Sequence, residues 1–301
     1  MSTATLDWYG CATFRLRTPE GLTVFLDAYL DRVPDAERSG VEVDDVTEAD
    51  WILVGHSHFD HLWGAERIAV RTGATVVGSY ESVRILARLG VPEEQLLAVA
   101  GGERLALDAT TVVRVLPSLH SCVWSSQPMP PADEVCLGEL GLTLQERTAK
   151  MQALWAGLGA LGDDVRAHLA AADLSERGDG GALVFVLDTS EGSVLFQDSI
   201  GCWSGVLGGE SPDVAILAVA GRGNRDGEPV QGSTADFVAE QAAALGARRV
   251  VPCHHDDWLP GFSRAIDTAP IRAAVERASP GTALVDLGYA DGHRLFESPL
   301  T

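Results

Sequence analysis

The 301-residue sequence holds a single lysine, Lys150, and its 22 basic residues face 43 acidic ones, for a net charge of −21. A face basic enough to grip a nucleic-acid backbone or an anionic membrane is therefore excluded. The near-absence of lysine reads as genomic composition bias, not as mechanism. Long apolar runs are missing as well: the longest, 214–220 with its flanks, falls far short of the roughly 20 residues a membrane span needs. Residues 1–25 lack a basic start followed by an apolar stretch, so no secretory leader is expected and the expected location is the cytoplasm. Cysteine is scarce. The five residues (Cys11, Cys122, Cys136, Cys202, Cys253) show no regular spacing, which suits free thiols in a reducing compartment better than a disulfide framework.

What the chain does have is an ordinary hydrophobic share, 46%, with 22% charged residues, as globular proteins do and disordered ones do not. At this length roughly three quarters of the unfolded surface is buried, enough for one large domain or two ordinary ones. The patterning predicts strands over 6–16 and 22–26 with a turn at Pro19-Glu20-Gly21, then a strand at 51–54 and a helix over 62–70. A strand at 76–77, a helix over 81–89 and a strand at 112–116 follow. Proline-rich residues 127–131 break regular structure. From 142 to 172 apolar residues recur at helical intervals, predicting two helices interrupted around Gly157-Leu158-Gly159 or Gly162. After a polar link at 175–181 come strands at 183–187, 193–196 and 214–219, a helix over 234–245 and a strand at 249–252. A final helix over 271–277 and strand at 283–287 close the pattern. This alternation predicts an α/β protein, a single domain over residues 1–301 with a helical insertion at about 123–178 between two β-rich halves.

The chemistry concentrates in Gly55-His56-Ser57-His58-Phe59-Asp60-His61. Three histidines and an aspartate fall within six residues, after a buried strand and before a helix. His56 and His58, alternate residues of an extended segment, project to one side and can converge on one metal ion. The turn into the helix re-aims Asp60 and His61 towards a second. Neutral imidazole and carboxylate are good ligands for zinc, manganese or iron. A histidine-rich surface loop is the plainer alternative, and four ligand-type residues at this spacing count against it.

This H-x-H-x-D-H pattern after a strand resembles the metallo-β-lactamase superfamily. The resemblance continues in the family's order through Phe25-Leu26-Asp27, Leu116-Pro117-Ser118-Leu119-His120-Ser121, Val194-Leu195-Phe196-Gln197-Asp198-Ser199 and Val250-Val251-Pro252-Cys253-His254-His255. It implies a four-layer αββα sandwich and two divalent metal ions, zinc foremost, with manganese or iron open. By the same resemblance His56, His58 and His120 would hold one ion, Asp60, His61 and His254 the other, and Asp198 would bridge them. Asp27 would fix a ligand histidine by hydrogen bonding. The opening and the ending, with proline two residues before His254, resemble the branch of ascorbate-6-phosphate lactonase and N-acylphosphatidylethanolamine phospholipase D. The sequence departs from that branch by carrying Cys11 where many relatives have histidine, and by its longer, more helical insertion.

The activity implied is hydrolysis, a metal-bridging hydroxide attacking an ester, lactone, amide or phosphodiester of a small anionic or amphipathic molecule, with a β-lactam open but not favoured. The formal charge of two divalent ions exceeds that of Asp60, Asp198 and hydroxide, so the site attracts anions although the chain is acidic. Salt screens the more distant charges beyond about 8 Å. Asp60 or His255 could shuttle the proton, and His255 could equally pack beside the ligand. Arg222, in the loop Gly221–Gly227, could clamp an anionic group or simply be solvated. That loop reads G-x-G-x-x-x-G, which is not the dinucleotide fingerprint. Trp124 and Trp258 follow metal motifs and, with Trp155 and Met151 of the insertion, are candidates for the cleft wall, the insertion then serving as a lid. Each also has an ordinary reading as core.

Gly201-Cys202-Trp203-Ser204-Gly205 places its serine one position late for a nucleophile elbow, so serine hydrolysis is unsupported. The cysteines are expected to act as small buried hydrophobes, a thiolate ligand or nucleophile being the alternative. Two other classes stay open. One is iron-dependent redox chemistry of the sulfur-dioxygenase kind, against which the complete second set Asp60, His61 and His254 argues. The other is a non-catalytic relative that binds a ligand or partner, against which the intact ligand positions argue. The expected partner is a small-molecule substrate, with no nucleic acid and no membrane span, and a homo-oligomer is left open.

Overall fold

The computed structural model describes residues 3–158 and 161–296. The chain opens with a hairpin. Strands β1 (Thr5–Trp8) and β2 (Phe14–Arg17) pair antiparallel across a loop in which Gly10 and Cys11 take left-handed backbone angles. The β run expected over 6–16 is thus two strands, because Gly10 supplies a turn inside it. Strand β3 (Thr23–Leu26) follows antiparallel, and β4 (Trp51–Leu53), β5 (Thr75–Gly78) and β6 (Leu96–Ala98) add to it in parallel. Between them run α1 (Phe59–Leu62), α2 (Ala65–Thr72) and α3 (Tyr80–Arg88). The helix expected over 62–70 is broken at Gly64, whose φ of 126° no residue with a Cβ adopts readily.

The second sheet begins with β7 (Arg104–Ala106), β8 (Val112–Pro117), β9 (Leu183–Asp188) and β10 (Ser193–Gln197), all antiparallel. The insertion between β8 and β9 carries α4 (Leu144–Leu158) and α5 (Asp163–Ala172). Gly159, one of the expected interruption points, lies outside the described residues. After β11 (Gly201–Cys202) and the single turn α6 (Ser204–Leu207), β12 (Val214–Ala218) joins β10 in parallel. Short strands β13 (Asn224–Arg225) and β14 (Glu228–Pro229) make a small sheet with β11. Helix α7 (Thr234–Leu245), β15 (Arg249–Cys253), α8 (Ala269–Ala278) and β16 (Ala283–Leu284) complete the second sheet, and β17 (His293–Arg294) returns to pair with β1. Ser79 and Ser233 cap α3 and α7 by accepting from the amides of Ser82 and Asp236.

Two seven-stranded sheets result, in the orders β17-β1-β2-β3-β4-β5-β6 and β16-β15-β12-β10-β9-β8-β7. They pack face to face: Leu16, Leu26 and Phe14 of the first share one apolar core with Val115, Phe185 and Phe196 of the second. Phe14 and Phe196 meet edge to face, with ring centroids 6.2 Å apart. The outer face of the first sheet is covered by α2 and α3 through Ile68, Ile85 and Leu86. That of the second is covered by α7 and α8 through Phe237, Val238, Ile271 and Val275. These are the four layers of an αββα sandwich. The five cysteines are free and buried. Among the described residues no helix is long and apolar enough to cross a membrane.

The fully buried ring of Phe196 spans the junction of the sheets. Phe196→Ala is expected to cost about 3–5 kcal/mol, read as a lowered urea midpoint at unchanged slope. A cost near zero would show that the sheets do not pack through this residue.

Candidate metal centre

The site forms where chain leaves the ends of β3, β4, β10 and β15 at one edge of the sandwich. After β4 the chain passes through a bent segment to His58, itself extended (φ −68°, ψ 153°), which precedes the turn α1 that carries Asp60 and His61. Gly55 lets this segment pass close to β10: a Cβ there would lie 2.0 Å from Asp198 Oδ2. His120 follows β8, held by Asn224 Nδ2 donating to its carbonyl (2.8 Å). His254 follows β15 directly, with a left-handed φ of 63°.

Donor atoms of His56, His58 and His120 lie within 4.8 Å of one another, as do those of Cys11, Asp60, His61 and His254, and those of His56, His61 and Asp198. The spacings suit coordination. Two nitrogens bound tetrahedrally to one zinc are about 3.3 Å apart. His56 Nε2 and His58 Nδ1 are separated by 3.2 Å. Asp60 Oδ2 lies 3.1 Å from His254 Nε2 and 3.4 Å from His61 Nε2. Asp198 sits between the groups, its Oδ2 2.6 Å from His56 Nδ1 and 3.3 Å from His61 Nδ1. Asp27, also left-handed (φ 53°), accepts from Gly55 N (2.8 Å) and from His61 Nδ1 (2.6 Å), which leaves His61 Nε2 free to ligate. His120 Nδ1 donates to the Ser121 carbonyl (3.0 Å), with the same effect. The residues present therefore fit divalent metal, with nitrogen and oxygen donors of the kind zinc takes.

Electrostatics divides these groups. Burial first, and neighbouring imidazoles second, hold His56 and His58 well below the usual histidine range, and burial lowers His120, so all three stand neutral. His61 goes the other way: burial opposes its charge, but the carboxylates of Asp60, Asp27 and Asp198 outweigh it and raise it well above that range. Burial also opposes the charge of Asp60, yet the His61 and His254 rings hold it well below the ordinary carboxylate range. Burial and Asp198 push Asp27 up to about 7 against the pull of His61.

A cavity enclosing about 780 Å³, its open mouth included, stands over both groups. His58, Asp60, His120, Asp198 and His254 form its floor. Met151, Leu154, Trp155 and Leu158 of α4 and Leu169 of α5 wall it on the side of the insertion, with Trp258 and Phe262 opposite. Among the described residues no arginine or lysine lines it. One polar group stands out on the wall, Asp173 at the end of α5. Its carboxylate has no hydrogen-bond partner among the described residues, and burial followed by Asp60 raises its pKa. Sequence reasoning missed it, because one aspartate after an amphipathic helix carries no signal of its own.

Three expected substrate or proton-transfer residues are placed elsewhere. Arg222 is 3% exposed and bonded to Glu139 Oε2 (2.5 Å), Ser125 Oγ (3.0 Å) and the Gly138 carbonyl (3.0 Å), so it anchors the insertion and is not among the residues lining the cavity. Glu139 also takes Lys150 Nζ at 2.5 Å, which employs the lone lysine. Trp124 is covered by Arg147 (4.4 Å to the ring centroid), and its neighbour Val123 lines the cavity instead. His255 stacks on Trp8 at 4.5 Å and is not among the lining residues. Trp155 and Trp258 do line the cavity. His168 of α5, which the sequence did not single out, meets the buried Tyr29 hydroxyl at 3.0 Å and ties the insertion to the sandwich.

Residues 23–255 match the family described as Beta-lactamase superfamily domain, and the chain belongs to that family. It is similar to a UPF0173 metal-dependent hydrolase of Myxococcus xanthus (strain DK1622), 35% identical over 126 residues, 42% of each chain. It resembles one of Pyrobaculum arsenaticum (strain DSM 13514 / JCM 11321 / PZ6) to the same 35% over 114 residues, covering 38% of this chain and 49% of that one. The chain thus spans less than half the length of the curated relatives it matches. Among solved structures, Igni18, a metallo hydrolase of Ignicoccus hospitalis KIN4/I, superposes with a TM-score of 0.62 over 96% of this chain and 97% of its own, at 15% identity. CmlA, a diiron β-hydroxylase of Streptomyces venezuelae, gives 0.60 over 98% of this chain and 55% of its own, at 19% identity. Both likenesses are of fold.

The charge pattern makes metal uptake a competition with protons, because His61 and Asp27 hold them and an ion displaces them. Affinity for zinc is therefore expected to fall as pH drops from about 8 to 6, with about one or more protons released per ion, read by calorimetry in buffers of different ionisation heat. Uptake without proton release would contradict this electrostatic picture.

Proposed function

We propose that the protein is a metal-dependent hydrolase with two ions, cleaving an ester, lactone, amide or phosphodiester of a small molecule that has an apolar body. The observation that carries this reading is a double set of ligand-type side chains on the floor of one cavity with apolar walls. Bound there, two divalent ions, zinc foremost, supply a water-derived nucleophile at neutral pH and draw electron density from the oxygen of the scissile group. His56, His58 and His120 would hold one ion and Asp60, His61 and His254 the other, with Asp198 between them and Asp27 orienting His61. The names of the bacterial and archaeal relatives support hydrolysis.

The walls refine the substrate. With no cationic side chain on the cavity, an anionic group would have only the ions to recognise it, whereas an acyl or aryl body gains about 25 cal/mol for each Å² it buries on Met151, Leu154, Trp155 and Trp258. Within the branch suggested by the opening and ending motifs, this favours amphipathic substrates over a phosphorylated sugar acid. The insertion acts as the lid that excludes water. Asp173 takes the role of proton donor to the leaving group: it faces the cavity and keeps its proton to higher pH than a free carboxyl. Asp60 is committed to His61 and His254, and His255 to Trp8.

Acyl esters of increasing chain length, lactones, phosphodiesters, acyl amides and β-lactams are to be assayed with zinc- and manganese-loaded protein. Metal-dependent turnover is expected, with kcat/KM rising up to about fourfold per added methylene on the acyl side. Stoichiometric iron with oxygen consumption and no hydrolysis would establish the redox reading instead. Asp173→Asn should lower kcat about a hundredfold with metal content unchanged. An unaltered kcat removes Asp173 from the chemistry.

A further inference from the structure

We infer that Cys11 is a ligand of the second ion, so that this half of the centre takes a sulfur donor as well as oxygen and nitrogen. The inference rests on the two-ion reading and adds a donor which that reading lacks. Cys11 Sγ belongs to the same four-atom group as donors of Asp60, His61 and His254. It lies 3.9 Å from Asp60 Oδ2, close to the roughly 3.5 Å that separates a sulfur and an oxygen on one tetrahedral zinc. The residue is completely buried.

The backbone fixes where that sulfur stands. Cys11 holds a left-handed φ of 47°, which costs a residue with a Cβ and persists only where the surroundings enforce it. They do so from both ends. Its amide donates to both oxygens of Asp256 (2.9 and 3.1 Å), and its carbonyl accepts from His254 N (2.7 Å) and Trp8 Nε1 (3.0 Å). Asp256 is itself locked by Arg32 (2.5 Å) and the Tyr289 hydroxyl (3.0 Å). The direct bond from His254 joins two left-handed non-glycine residues that present donors to one point. A cysteine serving only as a small hydrophobe has no need of that arrangement. Without an ion the thiol donates to the Asp60 carbonyl at 3.4 Å, and coordination exchanges the S–H proton for the cation. Sulfur also biases the position towards zinc and against manganese.

Cobalt(II) titrated into the metal-free full chain tests this, alongside Cys11→Ser, Cys11→Gly and Cys253→Ala. Glycine accepts the left-handed backbone, so Cys11→Gly removes the sulfur without adding strain. A sulfur-to-cobalt charge-transfer band is expected in the near ultraviolet for the parent protein and Cys253→Ala, saturating with one of two bound equivalents. It should be absent from both Cys11 variants, with zinc affinity at the second position at least about tenfold weaker. Two bound equivalents without the band, or the same band in Cys11→Gly, would overturn the sulfur ligand and leave the two-ion centre standing. Failure of the parent protein to bind cobalt would overturn both.

Discussion

Asp27, Asp60 and Asp198 are buried together, and that concentration of negative charge is the constraint on which the rest of the structure depends. Each buried ion carries a desolvation cost of several kcal/mol unless opposite charge stands beside it. His61 is the hinge of the solution, touching all three carboxylates through its two ring nitrogens. One imidazolium cannot balance three carboxylates, and burial with Asp198 pushes the Asp27 carboxyl up to about 7. The neutral trio His56, His58 and His120 stands on the other side, ready to ligate without surrendering protons. The arrangement is as much a demand for cations as a place to put them.

Meeting that demand takes backbone strain. Three of the six described non-glycine residues with left-handed backbone are Cys11, Asp27 and His254, all at this edge of the sandwich. Each costs roughly 1–3 kcal/mol, and each is held by a specific bond: Cys11 by Asp256, Asp27 by the Leu53 carbonyl (2.9 Å), His254 by Cys11. The Arg32–Asp256 pair, with both side chains at most 2% exposed, ties the segment after Asp27 to the one after His254 although 224 residues separate the two partners. Two sheets with covered outer faces make such a clamp affordable, because the core absorbs the strain.

Much of this was legible in the sequence. The alternation of strand and helix pointed to an α/β protein, the family resemblance of five motifs to the sandwich, and the cluster from His56 to His61 drew attention to the edge where the structure gathers His120, Asp198 and His254. Short-range pattern is readable there because ligand residues crowd one turn. The rest depends on contacts remote in sequence. Nothing near Arg222 announces that Glu139 will neutralise it, and nothing near His255 announces Trp8. Asp173 becomes conspicuous only once α5 is laid across the cavity. The turn at Gly10 was hidden because apolar residues run on through it. Gly64 was passed over because a single glycine inside a helical pattern is common.

The insertion is joined to the sandwich in an unusual way. All but one described residue of α4 is at least partly exposed, Leu158 alone being buried; the segment is tied to the sandwich by Glu139 to Arg222 and His168 to Tyr29, and by Val165 and Ala172 of α5 packing in one apolar cluster with Tyr29, Phe59 and Trp258. None of those ties passes through a residue assigned to either ion. Roof and floor are therefore separable in evolution: a lineage could redraw the roof for a new molecule while the reactive floor beneath stayed as it was.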